Sequence, residues 1–514
     1  MSDPLAIGID LGTTYSVIAR IDEAGVPATL ANAEGERLTP SAVLFDAEDS
    51  VVVGREALKA LASEPDRVAE CAKRDVGYSV YHKTLGGKQY PPEVIEAFIL
   101  NKLRFDATAQ VGDFSQVVIT VPAYFDEVRR KATQDAGYMA GLEVMDIINE
   151  PTAAALAFGY QQKIFGADGR SRPGQRLLIY DLGGGTFDVT VMDIEGTHFR
   201  TLATDGDVRL GGYDWDQRLV DLAAEAFIAA HDLDPRDDAA TAGRLWRECE
   251  DAKRTLSSRA RAAVHVEFGG KTAGVEVSRA QFEEATADLL DRTRFTTQQA
   301  VQAAGSTFDR LDRVLLVGGA TRMPMVRRML ESLAGKPPET AVAADEAVAL
   351  GAALRARQLL EEHAGQVPAF TIRNVNSHSL GVVGIDPATR RKRNGILIPR
   401  NTPLPVTGKR TFRTHKDNQR SILVRIVEGE SALPEECLPV GKVTVSRLPE
   451  QLPKRTPVDI HFRYKANGRL KVRVSVPTTG ANVEAVFKRE NILPKEHLDG
   501  WREFICGLAP TDYR

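Results

Sequence analysis

The chain has 514 residues, 43% of them hydrophobic, with 66 Lys and Arg against 70 Asp and Glu and a formal net charge of −4. It is too long for one hydrophobic core and too ordinary in composition to be disordered, so two or three domains are expected. The charge removes the long-range electrostatic case for nucleic acid or an anionic membrane. No segment reaches the roughly 20 apolar residues that span a bilayer, and the opening MSDPLAIGID lacks a basic region followed by an apolar core, so a cytoplasmic place is expected. Cys71, Cys249, Cys437 and Cys506 lie far apart without metal-type spacing and read as structural thiols.

From the N-terminus to residue 365, strand-like segments alternate with helical runs: AIGIDLG, SVIARID, QVVITVPA, VRRKATQDAGYMAGL, LLIYDLG, DVTVMDIEG and RVLLVGG. This is an α/β pattern. A unit of strand, Gly/Thr turn and returning strand begins near Asp10 and recurs some 170 residues later, predicting two related lobes. Helical periodicity stops at Gly365 and Pro368, which places a linker over 366–376. Beyond it, over 377–488, RSILVRIVEGE and PVDIHFRYKANGRLKVRVSV alternate apolar and polar residues at period two, the latter turning at Ala466-Asn467-Gly468, so an antiparallel β domain is predicted. Residues 489–514 suffice for a short helical tail.

The two turns carry the chemistry. In DLGTT and DLGGGT, glycine lets backbone N–H groups approach an anion, so each can cradle one end of a polyphosphate, although a glycine turn after a strand can also be a plain hairpin. Asp10 and Asp181, heading the turns, are hard oxygen groups suited to hydrated magnesium. LLVGGATRMP offers a third polar turn, with an ordinary strand-to-helix turn as the alternative. In CEDAKRTLSS, Glu250, Lys253, Arg254 and Ser257 share one helix face, which reads either as a solvated ion-paired face or as a wall for an adenine ring and its ribose.

GIDLGTTYS, VPAYFDEVRRKATQDAG, INEPTAAALAFGY, YDLGGGTFDV, LGGYDWD, CEDAKRTLSS, VGGATRMP and DEAVALGAA occur, in this order, as in the DnaK-type 70-kilodalton heat-shock chaperones of the actin and sugar-kinase ATPase superfamily, which the chain resembles. SLGVVG, LIPRNTPLPV, DNQRSILVRIVEGE and YKANGRLKVRVS extend the likeness through the second part. The resemblance implies a two-lobed actin-like ATPase domain followed by a β-sandwich that grips extended peptides, with ATP or ADP and Mg2+ as cofactors. By motif, Gly12, Thr13, Thr14 and Tyr15 would form the first phosphate loop, and Gly183, Gly184, Gly185 and Thr186 the second, with Gly211 and Gly212 nearby. Asp10 and Asp181 would hold magnesium, mostly through water. Lys73 resembles the catalytic lysine, and Glu150, Asp181, Thr186 and Asp188 the remaining catalytic set. Gly318, Gly319, Arg322 and Asp345 would complete the nucleoside pocket, and Pro122, Arg130 and Pro151 would relay nucleotide state to the linker. Val382, Phe412, His415, Ile422 and Val424 match peptide-pocket positions.

The chain also departs from that pattern. Asn374 replaces a linker aspartate and the leucine-rich run is absent, so weaker linker docking is expected. Asp146 stands where relatives present an arginine to a J-domain, so stimulation by such a partner is disfavoured. Ala320 replaces a serine, and the insert DPATRRKRNG adds a basic loop, either a solvated tip or a preference for acidic clients. With only 489–514 after the β domain, a chain without the family's helical lid is expected. The expected function is an ATP-hydrolysing chaperone of unfolded polypeptide, lidless, with unidentified J-domain and nucleotide-exchange partners. The rivals are a nucleotide-stabilised co-chaperone or scaffold with negligible turnover and a small-molecule kinase.

Overall fold

The computed structural model describes residues 5–46, 50–164, 174–340, 344–386, 388–446, 448, 451–465, 470–479, 481–485, 488–489 and 493–508. Two sheets built alike organise the first part. In one, strand Ile7–Asp10 pairs antiparallel with Tyr15–Ile21 across the first glycine turn and parallel with Gln116–Val121. In the other, Gln175–Leu182 pairs antiparallel with Phe187–Glu195 across the second turn and parallel with Arg313–Val317. The repeat read from sequence is thus a repeat of topology, and both central strands are largely buried, with Ile7 and Ile9 in one and Leu177, Leu178 and Ile179 in the other at the core.

Helix Ala347–His363 lies against strand Ile7–Asp10 and helix Glu150–Gln161 at a distance only glycine permits. A Cβ at Gly8 would run into the backbone of Ala352 and Ala353, and one at Gly351 into the backbone of Ala153. The run VRRKATQDAGYM forms helix Glu127–Met139, capped by the Asp126 side chain, which accepts the Arg129 N–H.

The second part is two antiparallel sheets face to face. One runs in the order Lys392–Ile398, Leu380–Ile385, Ile422–Glu428, Leu438–Val445 and Lys488–Arg489. The other runs Val406–Arg413, Pro457–Tyr464, Leu470–Val476 and Ala481–Ala485. Period-two alternation puts Val424, Ile426, Val443, Ile460, Phe462, Val472 and Val474 into the shared core. The turn Ala466-Asn467-Gly468 lies outside the described residues, but its flanking strands pair antiparallel, Tyr464 opposite Leu470.

Two segments tie the second part to the first. The linker is not slack: Thr371–Arg373 is a strand added parallel to His198–Arg200. Asn374 replaces the charge with hydrogen bonds, its Oδ1 accepting from the Thr152 and Thr201 hydroxyls at 3.1 and 3.2 Å. The C-terminal tail is not separate either. Helix Lys495–Gly507 returns to the α/β part, where Leu498 and Ile505 join the buried cluster of Ile7, Ile9, Phe98 and Ile119. Trp501 packs 6.1 Å from the Tyr90 ring, and the Ile505 carbonyl accepts the Asn101 amide at 2.9 Å. Its amphipathic pattern supplied an apolar face that needed burial, and this packing provides it.

Candidate functional site

A cleft of about 900 Å³ is lined from both sheets. From the first come Asp10, Gly12, Thr13, Thr14 and Tyr15; from the second come Asp181, Gly183, Gly184 and Thr186. The two loops touch: a Cβ at Gly184 would strike the Thr14 hydroxyl, and one at Gly185 would strike the Thr13 side chain. Gly211 underlies them, since a Cβ there would sit 2.5 Å from Gly185 N.

At the floor, Lys73 Nζ donates to Glu150 Oε1 and to the Leu11 carbonyl, both at 2.6 Å, and both side chains are buried. Asp10 accepts from the Thr120 hydroxyl at 3.1 Å. Burial first, and the nearby Glu150 charge second, push Asp10 up to about 7, and the same two causes push Asp188 to about 8. They hold Asp181 well above the carboxylate range. Burial would lower Lys73, but the Glu150 and Asp10 carboxylates more than offset it and leave the lysine raised. The floor is therefore a concentration of negative charge that favours a cation. Among the described residues no three His, Cys, Asp or Glu side chains converge as ligands of one ion.

The outer wall is helix Ala239–Ser258. Lys253 Nζ donates to Gly212 O at 2.9 Å and to Asp216 Oδ2 at 2.5 Å. Arg254 donates to Glu250 at 2.6 Å and to the Tyr15 hydroxyl at 3.0 Å, with its guanidinium over the Tyr15 ring. Opposite, Gly318, in the left-handed region with φ 84°, and Gly319 precede Arg322, which pairs with Asp345. Ser257 also lines the cleft, its hydroxyl donating back to Lys253 O.

Three expected residues do not line it. Gly185 and Gly211 lie behind the loops as packing glycines. Asp188 is one layer back, its Oδ1 accepting the Tyr124 N–H at 2.9 Å. Sequence reading missed Glu36, Arg37, Arg55, Met323 and Glu346 among the lining residues. Glu346 directly follows Asp345 in DEAVALGAA and could have been found; the stretch holding Glu36 and Arg37 carries no phosphate-loop signature.

Of the expected peptide-pocket residues, Val382, Ile422 and Val424 belong to one buried cluster of the sandwich. Phe412 is half-buried against that core at an edge strand, and His415 is exposed. Arg130 donates to Ala123 O, Phe125 O and Asn149 Oδ1 at 3.1, 3.0 and 2.7 Å, tying the segment after Pro122 to the strand before Pro151. Asp146 is not an open carboxylate: Arg355 Nε and Nη2 donate to its Oδ2 at 3.0 and 2.9 Å, offsetting the reversed charge.

The four cysteines are free thiols. Among the described residues no helix is long and apolar enough to cross a membrane. The family model described as Hsp70 protein matches residues 6–503, and with that match over nearly its whole length the chain belongs to the Hsp70 family.

Proposed function

We propose that this chain is an ATP-hydrolysing chaperone whose nucleotide state controls its hold on unfolded or extended polypeptide. Hsp70 members are ATPases that bind client polypeptides; the specific assignments below go further. The observation that carries the reading is the Lys73–Glu150 pair beneath two abutting glycine loops in one cleft. In this reading residues 1–365 form the two-lobed ATPase domain, 366–376 the linker and 377–488 the peptide-binding domain.

The backbone N–H groups of Gly12–Tyr15 and of Gly183, Gly184 and Thr186 hold phosphate oxygens, and Asp10 and Asp181 would hold the waters of a magnesium ion. The ion, when bound, supplies charge neutralisation at the phosphates. The Lys73 ammonium stabilises charge developing at the terminal phosphate, and Glu150 orients the attacking water and takes its proton. Lys253, Arg254 and Arg322 flank the nucleoside. Helix Lys495–Gly507 packs into the α/β part, with Leu498 and Ile505 in that part's buried cluster, rather than over the sandwich.

The test is single-turnover and steady-state ATP hydrolysis with and without an unfolded polypeptide. Turnover that the polypeptide accelerates is the expected result; tight ATP binding without turnover would replace this reading with a nucleotide-stabilised scaffold. One observation favours that second reading: the sandwich is joined to the α/β part at both ends, by the linker strand and by the C-terminal helix, which restricts undocking.

A further inference from the structure

The charge of the chain is unevenly distributed. Residues 377–488 carry 21 Lys and Arg against 9 Asp and Glu, a net charge of +12, so the remainder carries −16. Part of the excess is ordered on one surface. In strands Pro457–Tyr464 and Leu470–Val476 the alternate residues Ile460, Phe462, Val472 and Val474 point into the core, which turns His461, Arg463, Lys471 and Arg473 outward. Arg463 lies directly opposite Lys471, and His461 opposite Arg473. Lys409 and Arg413 extend the face onto the neighbouring strand. Asp459, paired with Lys409 at 2.7 Å, is the one acidic residue on these three strands, and on the fourth, Ala481–Ala485, Glu484 lies opposite Arg473. Like charges directly opposed across a ladder are destabilising, so the Arg463–Lys471 opposition at the centre of this face is relieved by a bound counter-charge.

We propose that this outer sheet face binds acidic, extended segments of polypeptide, so that the client this chain prefers carries Asp or Glu beside its apolar stretch. The period fits. Residues i and i+2 on a strand are roughly 6.7 Å apart, and an extended peptide laid along the strands presents carboxylates at that same repeat. Two features disfavour nucleic acid. No aromatic residue other than His461 faces outward on these strands to stack a base, and the −16 of the remainder repels a long, uniformly charged phosphate chain.

The inference rests on the chaperone reading only for the apolar part of the client, and the experiment separates the two. Fluorescence anisotropy would be measured with peptides sharing one apolar core and flanked by glutamate, serine or lysine, and with duplex DNA, for wild type and for Arg463→Glu/Lys471→Glu. We expect the glutamate-flanked peptide to bind about tenfold tighter than the lysine-flanked one at low salt, converging at 1 M salt, where the screening length is about 3 Å. The double variant loses that preference but keeps serine-flanked binding and basal ATP hydrolysis, which shows that it is folded. Equal binding of all peptides by the wild type overturns the inference and leaves the chaperone reading standing. Tighter binding of DNA, lost in the variant, overturns it in favour of a nucleic-acid surface. Binding of no peptide overturns both.

Discussion

The carbonyl oxygen of Tyr124 lies 2.9 Å from Nε2 of His378, and the two rings pack with centroids 4.2 Å apart. A carbonyl only accepts, so Nε2 donates. The same tyrosine gives its N–H to Asp188, just behind the cleft floor, so one residue is bonded both towards the nucleotide cleft and to the β part. Burial holds His378 below its usual value. Undocked, His378 titrates near 6.5 and takes up its proton more readily than when docked, so its contribution to docking is fully present above that pH and is lost below it. Glu428 at the same interface accepts the Glu127 N–H at 3.2 Å. Burial and then Asp126 push it well above the carboxylate range, giving the opposite sign. In a Glu428→Gln background, hydrogen exchange of Thr371–Arg373 should therefore quicken as pH falls from 7.5 to 5.5. A rate ratio to an unfolded reference that stays constant would remove His378 from the docking equilibrium.

Arg400 Nη2 meets Asp205 Oδ2 at 3.0 Å across the same junction, and Asn401 Oδ1 accepts the Thr204 N–H at 3.1 Å. A double-mutant cycle of Arg400→Ala and Asp205→Ala should return a coupling of about 1 kcal/mol in the docking equilibrium. Additive single effects would mean that the pair is incidental.

Gly211 supports the second loop by close approach to Gly184 and Gly185, whose backbone cannot move aside as a side-chain end could. Gly211→Ala should weaken nucleotide binding by at least about tenfold, roughly 1.4 kcal/mol, in a folded protein. Calorimetric titration with ADP checks it, and wild-type affinity would place the phosphates elsewhere.

Ile505 is fully buried in the cluster shared by the C-terminal helix and the α/β part. Ile505→Ala should lower stability by roughly 3 kcal/mol and expose the segment before residue 495 to protease. An unchanged cleavage pattern with an unchanged melting temperature would mean that the helix is not anchored there.

How much of this was legible in the sequence varies with the physics behind each feature. The glycine turns at Asp10 and Asp181 and the period-two strands of the sandwich were readable because local residue chemistry dictates them. The bonds of Asn374 to Thr152 and Thr201, the Arg355–Asp146 pair and the return of Leu498 and Ile505 to the first core were not, because each joins residues more than 170 positions apart. Val382 and Val424 matched pocket positions by motif, and period-two alternation accounts for their place in the buried cluster of the sandwich. The +12 of residues 377–488 was there to be counted; a net charge taken over the whole chain concealed it.

The central claim is that Lys73, 2.6 Å from Glu150, serves turnover rather than only the packing of the cleft floor. The most direct test is single-turnover ATP hydrolysis by wild type and Lys73→Ala, with ATP affinity measured in parallel. The account predicts that the variant binds ATP and loses turnover by at least about a hundredfold, the scale of one transition-state donor. Undiminished turnover in the variant would contradict it.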